Sequence, residues 1–463
     1  MTYLDVLARA RARERGRAVV VRECATITAD AAHVFGFAPI KMVSEELIQA
    51  IAFGMLDADP QLVARWNPLS RDASDLEPFA AALDDYLLGC EARDELPRIW
   101  VPHKGALDAL ELLGHRYRRN SEASQALQRM GAQCRALAEE ARVPGQQVVA
   151  VARELLAAHV VTGQSPVEDG HLGALLAWAR PAQGVDPAEE AARRALIPAS
   201  AMLVRHVDDR VEALRREGKR KGPGARRARV EIANLLTAGA RAEWELLVEA
   251  REAFWDLGLA PGDLDDLVDA SRDRLTFTLV AFPGTLVSPH ALARELEQHE
   301  RGVELVEEAD LTDFAMRERA RRRGGVFEAE VLARDPAVPT RNGFELQLHT
   351  AQETLRAREG SGVRLLDGKV SGRVLEVRGD PNRGGYRLRI RAKGVRSREQ
   401  VEVGSVAEWA DQGPVDMRFV RQKARAHVQR QAPALAYADA LPPATPRRLP
   451  AGSLLEIAEG RRR

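Results

Sequence analysis

The stretch GYRLRIRAKG, residues 385–394, alternates apolar and basic side chains with a period of two. The apolar residues are Tyr386, Leu388 and Ile390. They alternate with the basic residues Arg387, Arg389 and Arg391. This period is typical of a β-strand with one buried and one exposed face. We therefore predict a strand whose three arginines share the outer face.

A second alternating segment, FELQLH at residues 344–349, precedes this strand, and the turn-forming segments LLDGKVSG and GDPNRGG lie between the two. Short strands joined by turns rich in Gly, Asp and Asn are typical of small antiparallel sheets. We predict a small C-terminal antiparallel β-barrel of five or six strands over residues 326–412. Residues 413–463 are predicted as a last helix followed by a Pro-rich tail.

Long helices are predicted upstream of the barrel, over residues 199–325. The first spans about Ala225 to Leu257, with apolar residues recurring on one face. The second begins at Ser288, a suitable N-cap, and ends at Gly324. Together they predict a long antiparallel helical hairpin, or stalk.

The N-terminal half, residues 1–180, is predicted to be mainly helical. The segment VSEELIQAIAFGML, residues 43–56, is interpreted as a helix because Ser44 suits an N-cap and Ile48, Ile51 and Met55 recur at helical spacing. The predicted fold class is α+β: a mainly helical N-terminal half, a long antiparallel helical hairpin and a small C-terminal antiparallel β-barrel.

The overall charge excludes a chain that is attracted as a whole to polyanions. It has 68 basic and 68 acidic residues, for a formal net charge of zero. Any binding to nucleic acid must therefore come from local basic patches. Only seven of the 68 bases are Lys, which leaves 61 Arg (68 − 7). Because this bias is typical of a GC-rich bacterial genome, arginine clusters that only reflect genome composition remain an alternative.

Two basic patches nevertheless stand out. RREGKRKGPGARRAR, residues 215–229, carries eight bases and one acid, and residues 383–398 carry seven bases and no acid. Bases at a helix N-terminus are slightly unfavourable, so an anionic partner would explain those after Pro223. We predict contacts with the phosphates of DNA or RNA from Arg215, Arg216, Lys219, Arg220, Lys221, Arg226, Arg227, Arg387, Arg389, Arg391, Lys393 and Arg396.

Sequence motifs of catalysis are absent. There is no phosphate-binding loop for ATP, no dinucleotide fingerprint, no nucleophile elbow and no zinc-protease motif. We predict no catalytic residue, no cofactor and no metal. One alternative is a hydrolase of unrecognised type centred on Glu168, Asp169 and His171. The simpler interpretation is that Asp169 caps the helix that follows.

The layout of long helices followed by a barrel, over residues 225–430, resembles the stalk and barrel insertions of superfamily 1 helicases. The helicase ATPase motifs are missing, so no activity or residue role follows from the resemblance. We expect a non-catalytic, cytoplasmic accessory protein that binds nucleic acid and works with a separately encoded helicase- or nuclease-type enzyme. The alternative is a protein–protein scaffold whose arginines are solvated surface. No apolar run approaches the ~18 residues of a membrane span, so no membrane partner is expected.

Overall fold

The structure is a computed structural model that describes residues 3–28, 33–42, 47–65, 73–118, 120–195, 210–217, 222–260, 262, 264–280, 299, 302–303, 305–340, 343–368, 370–393 and 401–414. It has a mixed α+β fold, as predicted. Within the described ranges, no helix combines the length and the apolar character needed to cross a membrane.

In chain order the helices and strands are α1 (Tyr3–Arg15), β1 (Val19–Val20), β2 (Val34–Met42), β3 (Leu47–Met55), β4 (Gln61–Ala64), α2 (Glu77–Ala92), β5 (Arg98–Val101), α3 (Lys104–Tyr117), α4 (Gln125–Glu140), β6 (Val149–Val151), α5 (Ala152–His159), β7 (Val160–Val161), α6 (Leu172–Ala179), α7 (Pro187–Arg194), α8 (Pro223–Asp256), α9 (Asp265–Val280), α10 (Phe314–Arg322), β8 (Val326–Thr340), β9 (Gly343–Thr350), β10 (Ser361–Leu365), β11 (Ser371–Gly379), β12 (Tyr386–Lys393) and β13 (Val406–Pro414). Residues 210–217 and 305–310 are also helical.

The N-terminal half is built on a five-stranded sheet in the order β4-β3-β2-β5-β6. Strands β2, β3 and β4 form an antiparallel meander, whereas β5 and β6 join parallel to β2. The direction of pairing thus changes at β2. The carboxyl ends of β2, β5 and β6 lie at the same edge of the sheet.

Helices cover both faces of this sheet. On one face, α2, α3 and α4 enclose a core of large side chains that includes Phe37, Phe53 and Phe79. On the other face, α5, α6 and α8 pack against a second core that includes Trp100 and Trp244. The sheet is therefore the middle of three layers, with both of its faces removed from water.

The 34-residue helix α8 lies close against the sheet because the strands present small side chains to it. The buried residues on that face of β2 and β3 include Gly36, Ala38, Ala50 and Ala52. A Cβ atom on Gly36 would lie 2.5 Å from Cζ3 of Trp244 and 2.6 Å from Cδ2 of Leu56. There is no room for even one added methyl group.

Gly36→Ala is therefore expected to lower the free energy of unfolding by about 1–3 kcal/mol, as overpacking of a close-packed core does. Gly239→Ala, on α8, is the matched control. Its Cβ would sit at an ordinary 3.7 Å from Ile40, and Ala in a helix gains up to ~1 kcal/mol over Gly. Urea unfolding monitored by circular dichroism measures both variants. Equal midpoints would contradict this account of the α8 interface.

The prediction of a helix over residues 43–56 is wrong, and because of it the five-stranded sheet was not predicted. Residues 47–55 form strand β3, in which seven of nine side chains are buried or packed on a core. A strand covered on both faces loses its alternation of apolar and polar residues, and then cannot be told from a buried helix by period alone. The predicted N-cap, Ser44, lies outside the described residues.

The predicted long helical hairpin is not confirmed. The apolar stripe of α8 packs on β2, β3 and β4 rather than on a second long helix. The second helix was predicted to run to Gly324. However, residues 311–313 leave the helix, and Asp313 caps the new helix α10 by accepting from the Met316 N–H at 2.9 Å. Residues 288–298, 300–301 and 304 of that predicted partner helix, together with residues 415–463, lie outside the described residues.

The predicted C-terminal barrel is confirmed as a closed barrel of six antiparallel strands, in the order β10-β11-β12-β9-β8-β13. Its interior includes Phe327, Leu346, Ile390 and Trp409, each fully buried. Closure satisfies the strand edges, so a small sheet keeps a stable core without a covering layer of helices. The outer face is left for polar side chains.

Candidate nucleic-acid interface

Strand β12 presents its basic residues outward. Its burial alternates along the strand: Leu388, Ile390 and Ala392 point into the barrel, and Arg387, Arg389, Arg391 and Lys393 are exposed. The three arginine side chains are 50 to 53 % exposed. The register fixes this arrangement, because Leu388 and Ile390 pair with the buried Leu348 and Leu346 of β9.

Each of these arginines contacts a carboxylate. The distances are 2.6 Å from Arg387 Nε to Asp380 Oδ2, 3.8 Å from Arg389 Nε to Glu376 Oε2 and 3.2 Å from Arg391 Nη2 to Glu345 Oε1. The acids come from β9, β11 and the turn before β12. Although residues 383–398 contain no acid, this surface is therefore not purely cationic.

Asp380 is the buried member of this set. Its carboxylate accepts hydrogen bonds from Arg387 and from the backbone N–H groups of Asn382 and Arg383. These bonds, the one from Arg387 foremost, lower the pKa of Asp380. Asp380 thus shapes the turn that leads into β12. Glu345 and Glu376, by contrast, contact the arginines from the outer surface of the barrel.

When strand β11 is included, this surface carries more basic than acidic side chains. Strand β11 adds the exposed Arg373 and Arg378 to the same outer face. We define the arginine face as the six bases Arg373, Arg378, Arg387, Arg389, Arg391 and Lys393, with the three acids Glu345, Glu376 and Asp380. The net charge of the arginine face, six bases minus three acids, is therefore +3 (6 − 3). Because ion pairs at the surface contribute only about 0–1 kcal/mol, phosphate oxygens can replace Glu345 and Glu376 as partners of the arginines.

The second predicted patch lies on a different part of the chain. Arg215 and Arg216 belong to the helical residues 210–217, and Arg226 and Arg227 are exposed in the first turns of α8. Arg215 Nη2 lies 3.5 Å from Gln49 Oε1 of β3, and Arg216 pairs with Glu212 at 2.5 Å. These residues therefore belong to the N-terminal layers, while the arginine face belongs to the barrel.

Four of the predicted contacts, Lys219, Arg220, Lys221 and Arg396, lie outside the described residues. Residues 218–221 separate the helical residues 210–217 from Gly222. Gly222 has φ of 132°, in the region that favours glycine, and it precedes Pro223 at the start of α8. Helical residues thus lie on both sides of this basic segment.

The alternative catalytic residues are held in structural hydrogen bonds. Asp169 is buried, accepts from Arg9 Nη1 at 2.8 Å and Gln164 Nε2 at 3.1 Å, and also contacts the Thr162 hydroxyl. Glu168 accepts from the Ser165 N–H at 2.7 Å.

The prediction that Asp169 caps the helix that follows is wrong. His171 caps α6, because its Nδ1 accepts from the Gly173 N–H at 3.1 Å. Asp169 instead holds the N-terminal helix α1 through Arg9.

The sequence did not reveal the acids of the arginine face, since strand pairing brings them from elsewhere in the chain.

Among the described residues, no group of three or more His, Cys, Asp and Glu side chains is arranged to hold a metal ion. Comparison of the chain with protein-family models, with curated proteins and with solved structures gives no match.

Proposed function

We propose that the protein binds the phosphate backbone of DNA or RNA through the arginine face of its barrel. In this role it acts as a non-catalytic accessory protein beside a separately encoded helicase- or nuclease-type enzyme. The observation that carries the proposal is the alignment of six exposed bases on two adjacent strands against three acids. Small barrels bind nucleic acid by such outer faces.

The spacing of the bases suits a phosphate chain. Alternate residues of a strand stand about 6.7 Å apart, twice the rise per residue. This distance is close to the phosphate repeat of a single strand, so neighbouring arginines can contact successive phosphates. Arginine also forms the bidentate contacts that phosphate oxygens accept.

The face offers contacts to phosphates but little for reading bases. Tyr386 is the one aromatic residue of β12, and its ring packs against the barrel core while its hydroxyl donates to the Glu353 carbonyl at 3.2 Å. Base stacking normally needs exposed aromatic rings. We therefore expect binding that depends on salt and varies little with nucleotide sequence.

The acids of the arginine face provide a test of this proposal. The double substitution Glu345→Gln and Glu376→Gln would release Arg391 and Arg389 from their ion pairs. It would raise the net charge of the arginine face from +3 to +5. We expect nucleic-acid affinity to rise on the order of 10-fold at 50 mM salt, because two more arginines become available to phosphates. Fluorescence anisotropy with a labelled 20-nucleotide strand and its duplex measures the change.

The control variant is Glu139→Gln with Glu252→Gln. Both glutamates are exposed and pair with an arginine outside the barrel, Arg135 and Arg180 respectively. This variant adds the same two charges, so it reports the effect of overall charge alone. If both double variants raise affinity equally, or if neither does, the arginine face is not the binding surface and the scaffold alternative gains support.

A further inference from the structure

A second site is indicated at the carboxyl edge of the N-terminal sheet, where β2, β5 and β6 end together. Strand β5 leads into α3, of 14 residues, and β6 leads into α5, of 8 residues. Two helix N-termini therefore face this edge, each with the positive end of its dipole. In sheets of this type, ligands bind in the crevice beyond the carboxyl ends of the strands, near a change in topology.

His103 lies at the centre of this edge, as the N-cap of α3. Its Nδ1 accepts a hydrogen bond from the Ala106 N–H at 3.3 Å, so in the neutral ring the proton sits on Nε2. Nε2 lies 3.7 Å from Oε2 of Glu243, which is longer than a hydrogen bond. The imidazole is 37 % exposed, so the ring contacts solvent as well as approaching the buried carboxyl group.

Glu243 is the unusual member of the pair. It lies on the buried stripe of α8, next to Trp244, and its side chain is only 5 % exposed. Its carboxyl group lies 3.7 Å from Nε2 of His103, beyond hydrogen-bond distance, and burial of a polar group without a close partner is costly. Burial raises the pKa of Glu243 to about 7 and lowers that of His103 to about 4.

The other charged groups around His103 come from four elements. They are Lys41 of β2, Lys104 of α3, Arg153 and Glu154 of α5, and His171 of α6. Apart from burial, Glu154 raises the pKa of His103, while His171, Lys41 and Arg153 lower it. Counting Lys41, Lys104 and Arg153 against Glu154 and Glu243, the edge carries +1 (3 − 2). It carries +2 when Glu243 is protonated.

We propose that this edge binds a tetrahedral oxyanion of the phosphate class, and that Glu243 takes up one proton from solvent when the anion binds. Protonation removes the carboxylate charge that opposes an anion and creates an O–H donor. Two helix N-termini, Lys41 and Arg153 supply the remaining positive potential. His103 stays neutral and can donate its Nε2 proton to the anion. This site does not depend on the proposed role of the barrel.

Sulfate is the probe, because it remains a dianion between pH 6 and 8. We would follow the His103 Cε1–H signal by NMR, assigned by its loss in His103→Asn, a substitution that keeps an N-cap residue. With a pKa of about 7 for Glu243, its protonated fraction falls from about 0.9 at pH 6 to about 0.1 at pH 8. We expect the sulfate affinity of the wild type to fall about 10-fold over this range.

Glu243→Gln mimics the protonated acid, so it should bind sulfate with nearly the same affinity at pH 6 and 8. Glu154→Gln is the matched control, since Glu154 is a carboxylate of the same edge already paired with Arg153 at 2.5 Å. It should keep the 10-fold pH dependence. Absence of a sulfate-induced shift of His103 at pH 6, or a 10-fold pH dependence that persists in Glu243→Gln, would overturn the proposal.

Two further ligands identify the source of the anion. A nucleoside monophosphate represents a small phosphate ester, and a pair of oligonucleotides with a 5′-phosphate or a 5′-hydroxyl represents a nucleic-acid end. A shift of His103 that requires the 5′-phosphate would assign the site to strand ends. A shift with the monophosphate alone would assign it to a small ester. A barrel variant that loses nucleic-acid binding should retain the sulfate response, which separates this proposal from the proposed function.

Discussion

Replacing Arg274 with Ala is expected to lower the free energy of unfolding by about 3–5 kcal/mol, the cost of leaving a buried charge without its partner. Arg274 of α9 pairs with Glu140 at the end of α4, with Nη2 2.7 Å from Oε1 and Nε 2.9 Å from Oε2. Both side chains are at most 7 % exposed. Arg274→Ala would strand the Glu140 carboxylate in this dry environment.

Two other variants separate this mechanism from a general loss of an arginine. Arg210→Ala removes an exposed partner of Glu231 and should cost no more than about 0.5 kcal/mol. Arg274→Met combined with Glu140→Leu removes both buried charges and should recover a large part of the loss. The midpoints of urea unfolding compare the three. Equal losses for Arg274→Ala and Arg210→Ala would show that burial of the pair is not what matters.

The triple variant Arg387→Ala, Arg389→Ala and Arg391→Ala is expected to weaken binding to single-stranded or duplex nucleic acid on the order of 100-fold at 50 mM salt. Each lost phosphate contact forgoes the release of about one counterion, and three such losses multiply. The affinity should fall by the same factor for unrelated nucleotide sequences. Anisotropy titrations with two strands of different composition measure this.

The control for charge and surface is a triple alanine variant of arginines that are exposed and paired elsewhere: Arg129, Arg142 and Arg193. Their side chains are 55 to 65 % exposed, similar to those of the arginine face. This variant should bind nucleic acid almost as the wild type does. The control variant should keep the wild-type melting temperature within a few degrees, because exposed substitutions usually cost within ~0.5 kcal/mol. The arginine-face variant also removes Arg387 from the buried Asp380, which keeps its two backbone hydrogen bonds, so thermal melts must show that this variant is folded.

The barrel could be predicted from the sequence because its strands are buried on one face only. The alternation around Leu388 and Ile390 survives in such a strand, and it correctly predicted which residues of β12 point outward. The five-stranded sheet was missed because α2, α3 and α4 cover one face and α8 covers the other. β3 is then apolar at every position except Gln49 and lacks the alternation of a strand that is buried on one face.

The candidate sites were predictable only in part, because their charges meet across large separations in sequence. Glu345 reaches Arg391 only through the pairing of β9 with β12, and no local pattern indicates that contact. Glu243 did leave a signal. It is an acid within the apolar stripe that holds Ala240, Trp244 and Leu247, where a solvated charge does not belong. Its neighbour His103, 3.7 Å away, is known only from the fold.

The slope of log affinity against log salt concentration, measured for the wild type and the triple variant of Arg387, Arg389 and Arg391, tests the proposed function most directly. Each phosphate contact contributes about 0.7–0.9 to this slope, so we expect the slope of the variant to be shallower by about two to three when both proteins are folded. Coincident slopes for two equally folded proteins would contradict it, and the arginine face would then be solvated surface.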